Sequence, residues 1–239
     1  MSENLRHALF RARLQPVDVA AALGVDPKTV DRWLKGRVPY PRHRWAVAEL
    51  VKVNEADLWP DVISRGMIAD EVQAVYPHRW AVPQAEWHEL FAAATFKIDI
   101  LTYSALFLAE DARILRRLSE RAGAGVEVRI LVGHPDSAQA VARGEEEGIG
   151  GDVMVGRIRN AIRLFEPLRA VEGIEIRQHK TTLYNSLYRA DADLIVNMHA
   201  YGVSAAEAPV LRLTINGAEG AASTYLASFE KTWATSSAV

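Results

Sequence analysis

The sequence predicts two parts of different class: an all-α head and, behind it, an α/β body built on a mixed sheet. Three observations carry that division. Over residues 3–62 apolar residues recur at helical spacing in short runs, each bounded by Pro, Gly, Asp or Asn. From residue 96 onward, runs of strand length alternate with amphipathic helical patterns. The charge changes sign with the class. Residues 1–44 hold nine Lys/Arg against four acids, whereas residues from 67 onward hold 17 Lys/Arg against 22 Asp/Glu. At 239 residues there is room for a small domain plus a medium one.

The head reads as a series of capped helices. Leu5, Ala8, Leu9 and Ala12 give a first helix over about residues 3–13. Pro16 suits the first position of a second helix that ends at Leu23 before Gly24. Asp26 can cap a third, which begins at Pro27 and ends near Lys35, with Gly36 after it. Pro39 and Pro41 predict an extended turn. A fourth helix then carries Trp45, Val47, Ala48, Leu50 and Val51, and Asn54 caps a short fifth through Leu58 and Trp59.

In the body, residues 96–103 predict a strand and 111–121 an amphipathic helix burying Ile114, Leu115 and Leu118. After the turn at Gly123–Gly125 a second strand covers 126–132. Strand, helix, strand at this spacing implies parallel pairing. A polar, glycine-rich loop is expected at 143–151, followed by a long helix with Ile158, Ile162, Phe165 and Leu168 on one face. Strands are expected at 174–177, 183–189, 194–198 and 210–215, and a closing helix buries Tyr225, Leu226, Phe229 and Trp233. The pentapeptide His-Arg-Trp-Ala-Val occurs at both 43–47 and 78–82 with nothing repeating around it, so it does not mark a repeat architecture.

Composition excludes several function classes. There are no cysteines, which removes disulfide scaffolds and thiolate metal sites and agrees with a reducing cytoplasm. No apolar run approaches bilayer-spanning length and no secretory h-region opens the chain, so a soluble, cytoplasmic protein without membrane contact is expected. One His and one Asp in the loop at 133–137 do not make a metal site, and neither a metal nor a cofactor is expected.

The strongest functional signal spans residues 16–35. Two helices that cross at a fixed angle need a small residue at the approach, a glycine at the turn and buried apolar residues at set offsets. Ala20, Gly24 and the set Val19, Leu23, Val25, Val30 and Trp33 supply them. Pro27, Lys28, Thr29, Asp31, Arg32 and Lys35 are then left on the outer side of the third helix, where Arg and Lys can pair with guanine edges in a major groove. Asp31 is the exception on that face, and suits either a cytosine amino group or a pairing with the neighbours of Arg32. Arg37, Arg42 and Arg44 are placed to hold phosphates. Residues 3–62, including Gly36-Arg37-Val38-Pro39 and the Asn54–Pro60 segment, resemble the Cro/repressor-type helix-turn-helix family. The resemblance implies a regulator that binds double-stranded DNA.

In the body, the segment from Leu183 to Asp191 fits the frame His-x-Lys-x4-Asp, with Tyr184 in the His position, Ser186 in the Lys position and Asp191 retained. Asn197, Met198 and His199 fall where a small polar pair would follow. On these residues the part from 83 to 235 resembles the phospholipase D superfamily, in which the His attacks phosphorus, the Lys holds phosphate oxygens and the Asp fixes the register. The substitutions decide the chemistry. Tyr, with a pKa of about 10, is a poor nucleophile at neutral pH, and Ser brings no charge to a phosphoryl transition state. The expectation is therefore a phospholipase D-like domain that is not an enzyme but keeps the pocket; the alternatives are a phosphodiesterase or nuclease targeted to DNA by the helix-turn-helix, and a scaffold whose C-terminal domain only dimerises. Tyr103, Ser104, His134, Tyr184, Ser186, Asp191, Asn197, His199 and Tyr201 are the candidate ligand-binding residues. Of these, Tyr103, Ser104, Tyr184, Ser186, Asn197, His199 and Tyr201 describe a neutral, aromatic and hydrogen-bonding pocket for a small-molecule effector.

The expected organisation is a helix-turn-helix domain at 1–66, a linker at 67–82 and a sensing and dimerising domain at 83–239. A homodimer follows from the helix-turn-helix, because one such unit covers little groove and dimers read paired half-sites.

Overall fold

The computed structural model describes residues 3–60, 71–217 and 220–239, which divide into two compact units, Met1–Asp70 and Glu71–Val239. The expected boundary at residue 66 lies outside the described residues.

The first unit is all α: α1 (Glu3–Ala12), α2 (Pro16–Leu23), α3 (Pro27–Leu34), α4 (Pro41–Val51) and α5 (Glu55–Leu58). Its local signals act as the sequence implies. Gly24 closes α2 at a φ of 66°, a left-handed conformation that costs glycine little. Asp26 accepts a 2.8 Å hydrogen bond from the Lys28 amide and caps α3. Leu5, Leu9, Val19, Val30, Trp33, Val47 and Leu58 form one core. One expectation changes. Pro41 is not part of an extended turn but the first residue of α4, where proline's missing N–H costs nothing.

The second unit begins inside the expected linker. Residues 71–82 are not a connector: they supply the edge strand β1 (Val72–Tyr76) and a 3-10 turn at Arg79–Ala81. Glu71, just before β1, accepts a 2.8 Å bond from the Ala221 amide and so ties the start of the unit to a helix near its end. There follow α6 (Gln84–Ala93), β2 (Lys97–Leu101), α7 (Leu106–Ala109), α8 (Ala112–Gly123), β3 (Glu127–Gly133), α9 (Ala138–Glu146) and α10 (Gly151–Phe165). After a 3-10 turn at Glu166–Ala170 come β4 (Ile174–His179), β5 (Asn185–Ala190), β6 (Asp193–Met198), β7 (Val210–Thr214), α11 (Ala221–Ala234) and the short β8 (Ser237–Ala238).

The strands form one mixed sheet in the order β1-β7-β6-β5-β2-β3-β4-β8. β2, β3 and β4 are parallel, and the remaining pairs are antiparallel. The chain is thus an all-α head followed by an α/β domain with a mixed sheet.

Both faces of the sheet are buried. Ile98, Ile100, Val128, Ile130 and Tyr188 pack with Trp87, Leu108 and Leu118 on one side. Leu101, Leu131, Leu187 and Val196 pack with Met154, Ile158 and Phe229 on the other. That second face also holds a buried charge cluster. Asp99, fully buried, accepts from Arg129 Nε at 2.7 Å and from Arg189 at 3.0 Å, and Arg129 reaches Glu230 at 2.6 Å. Arg129 also lies over the Phe229 and Trp233 rings, which docks α11 on the sheet.

The expected loop at 143–151 is shorter than predicted: α9 runs on to Glu146, and only 147–150 form the turn before α10. Ser137 caps α9 by accepting from the Ala140 amide at 3.1 Å. Arg143 is buried and paired with Glu146 and Glu147, each at 2.8 Å. Gly144 marks a close approach rather than a loop: a Cβ there would sit 2.5 Å from the Gly150 carbonyl oxygen.

Candidate functional site

In the head, α3 divides by face. Val30 and Trp33 are buried, while Pro27, Lys28, Asp31, Arg32 and Lys35 are exposed and Thr29 is half-buried. Arg37 and Arg42 are exposed as well, so eight of the nine expected contact residues present a surface. The ninth departs from expectation. Arg44 is only 8% exposed, its Nε donates to Glu55 at 2.5 Å, and it also donates to the Pro39 carbonyl at 3.1 Å. This guanidinium braces α4 against α5 and is not free for a phosphate.

In the body, a cavity of about 530 Å³ opens beside β2, β5 and α7. Tyr103, Ser104, Ser186 and His199 all line it, although Ser186 and His199 lie far from Tyr103 in sequence. The cause is topological: β5 pairs with β2, which sets Ser186 near the segment that leaves β2 at Thr102.

A hydrogen-bonded pair sits in this cavity. Ser186 Oγ lies 3.1 Å from His199 Nε2, and His199 Nδ1 lies 3.2 Å from the Leu183 carbonyl oxygen. A carbonyl only accepts, so Nδ1 carries the ring proton, Nε2 is the acceptor, and Ser186 donates to it. Burial, aided by the positive charges of Arg143 and Arg79, pushes the His199 pKa down to about 4, against the opposing hydrogen bond to Leu183. An imidazole so weakly basic is a poor general base for activating a serine.

The other expected ligand residues stand elsewhere. Tyr184 and Tyr201 are 81% and 90% exposed and do not line the cavity. Tyr184 immediately precedes β5, so strand alternation does not orient it with Ser186. Asp191 is a structural turn residue at a φ of 52°. Its carboxylate accepts from the Thr95 amide and hydroxyl and from the Phe96 and Lys97 amides, at 2.6 to 3.0 Å. Burial alone would raise its pKa, but these bonds outweigh it and hold the carboxyl below its ordinary value. Asn197 is fully buried and donates to the Ala208 and Pro209 carbonyls at 3.3 Å, holding the segment that borders the cavity at Ser204–Glu207. His134 accepts from the Asp136 amide at 3.1 Å and lies outside the cavity.

Several lining residues were not singled out from the sequence. Arg79 and Trp80 lay in the expected linker, and Phe107 in α7 carried no motif. The Arg79 guanidinium stacks over the Phe107 ring at 4.2 Å. Tyr188, also not singled out, is buried and does not line the cavity, but it lies two residues beyond Ser186 on β5 and therefore on the same face. Its ring packs edge-on against Trp87 at 5.0 Å and Phe107 at 5.8 Å. Among the described residues no cluster of metal-ligating side chains occurs, and no helix is long and apolar enough to cross a membrane.

No family model matches the sequence. No curated protein matches it either. Among solved structures, the chain is similar to TrmBL2, described as an archaeal chromatin protein with a novel mode of DNA binding, at a TM-score of 0.44 and 13% identity over 90% of this chain and 72% of that one. It is also similar to Nuc from Salmonella typhimurium, a phospholipase D family member, at a TM-score of 0.39 and 14% identity over 70% of this chain and 95% of that one.

Proposed function

We propose that the chain is a cytoplasmic DNA-binding transcriptional regulator of the Cro/repressor helix-turn-helix type, whose non-catalytic α/β domain dimerises and takes a small-molecule effector. The observation that carries the reading is the two-faced α3: Val30 and Trp33 anchor it in the core while Lys28, Asp31, Arg32 and Lys35 stand exposed together. Arg37 and Arg42 flank that face with further cations. Arginine and lysine on an anchored helix match the guanine acceptors of a major groove, and the flanking cations set position on the backbone.

The body supports sensing rather than catalysis. Its cavity has the size and mixed lining of a small-molecule site. Tyr184, at the position a nucleophile would take, is exposed outside the cavity, and Ser186 carries no charge.

Selection of bound duplexes from a random pool by the full-length protein tests the first half. Enriched paired half-sites one helical turn apart are expected, and no enrichment would overturn the operator reading. A chromogenic phosphodiester tests the second half, with no turnover expected. Turnover that disappears in Ser186→Ala would overturn the non-catalytic reading.

A further inference from the structure

The cavity beside β2, β5 and α7 is lined by charges of both signs that do not pair with one another. Arg79 and Arg157 bring two guanidinium groups to its wall, and Glu110 and Glu207 bring two carboxylates. None of the four takes part in an ion pair among the described residues. The third carboxylate of the lining, Glu147, is already taken by Arg143 at 2.8 Å. The charges left open to an occupant therefore sum to zero, with each sign present twice.

The backbone holds two of these opposite charges near each other but apart. The Arg79 amide donates to the Ala206 carbonyl at 3.1 Å, which brings Arg79 alongside the neighbour of Glu207. The Arg79 guanidinium is instead committed to the Phe107 ring, 4.2 Å from its centroid. Stacked there, it still presents its N–H edges. Arg79 is half-buried, so its charge gives up part of its hydration with no counter-ion in return.

This arrangement discriminates among occupants by charge. A lone anion would face two carboxylates, and a lone cation two guanidinium groups. A neutral solute would displace water from the charges without replacing it. A molecule carrying both charges answers both signs. In an α-amino acid the two groups sit on one carbon, so the pair that receives them must be close neighbours, as Arg79 and Glu207 are. Leu106, Ile149 and Met154 add apolar wall. We propose that the cavity takes a zwitterionic α-amino acid with an apolar side chain, its carboxylate on Arg79, its ammonium on Glu207 and its side chain against Leu106, Ile149 and Met154. The proposal gives the effector site above its chemistry and rests on that reading.

Calorimetric titration of the full chain with L-phenylalanine, 3-phenylpropionate, phenethylamine and 3-phenylpropionamide tests it. These probes carry both charges, the anion alone, the cation alone and neither. L-phenylalanine should bind about tenfold more tightly than each of the others, the weight of a charge-assisted contact. Arg79→Gln should bring phenethylamine level with L-phenylalanine, and Glu207→Gln should do the same for 3-phenylpropionate. Glu207 is exposed, so its variant reads binding without a change in the fold. Any of the three analogues binding the wild type as tightly as L-phenylalanine would overturn the zwitterion assignment and leave the effector reading standing. A preference for L-phenylalanine that survives unchanged in both variants would remove Arg79 and Glu207 as its holders and overturn the proposal as well. Binding by none of the four would overturn both readings.

Discussion

His199 Nε2 accepts its hydrogen bond from Ser186 at 3.1 Å only because Nδ1 is committed, at 3.2 Å, to the Leu183 carbonyl. The ring is therefore neutral in the folded protein, and burial with the charges of Arg143 and Arg79 keeps it so down to about pH 4.

This neutrality gives a pH dependence with a definite sign. In the unfolded chain a histidine takes up its proton near pH ~6.5. Between there and pH 4 the unfolded state binds the extra proton and the folded state does not, so stability falls as the pH drops through that window. The loss should be about 2–3 kcal/mol. Urea melts of wild type and His199→Gln at pH 7 and pH 4.5 check it. The variant should lose less stability over that interval, and parallel pH profiles would contradict the assignment.

Asp191 acts in the same direction at lower pH. Its carboxylate is held below its ordinary pKa by bonds from Thr95, Phe96 and Lys97. That stabilisation is present above about pH 4, the unfolded-chain value, and is lost as pH falls through the lower folded value. Asp191→Asn, which tolerates the positive φ, should cost about 1–2 kcal/mol at pH 7 and remove part of the acid sensitivity. Unchanged thermal stability of Asp191→Asn at pH 7 would show that the carboxylate does not brace the turn.

Arg42 and Arg44 should separate by phenotype. Arg44 is paired with Glu55 and buried, so Arg44→Ala should destabilise the head by about 2–3 kcal/mol. Arg42→Ala should leave stability unchanged and lower the salt-dependence slope of DNA binding by about 1. Circular dichroism melts and binding titrations across salt concentrations read the two effects. Equal melting temperatures for both variants would refute the bracing role of Arg44.

On α3, Arg32→Ala should weaken specific DNA binding by about 1–3 kcal/mol with the fold intact. Trp33→Ala, one residue on but 3% exposed, should cost about 3–5 kcal/mol of stability and unfold the head. Equal operator affinity for wild type and Arg32→Ala at matched salt would remove helix α3 as the reader.

The sequence by itself determined the elements whose cause is local. Pro16, Gly24, Asp26 and Pro27 punctuate α2 and α3 at the observed residues, because caps, fixed φ and left-handed φ act within one turn. Strands β2 to β7 were likewise readable, as short apolar-rich runs bounded by turn residues, the pattern of strands covered on both faces. Tertiary structure alone decided what depends on distant partners. The pentapeptide at 43–47 lies inside α4, where its amides bond back to Tyr40, yet at 78–82 it forms a 3-10 turn whose Arg79 amide donates to Ala206 at 3.1 Å. The start of the loop expected at 143–151 is instead the end of α9, because Gly144 packs against Gly150 and Arg143 finds two carboxylates, and the loop shrinks to 147–150. The cavity joins Arg79, Thr102, Ser186 and His199 only because β5 pairs with β2 and Asn197 holds the 208–209 backbone. Periodicity and caps are sums of neighbouring preferences, whereas the surroundings of Arg44, Tyr184 and Tyr188 are set by chain brought in from elsewhere.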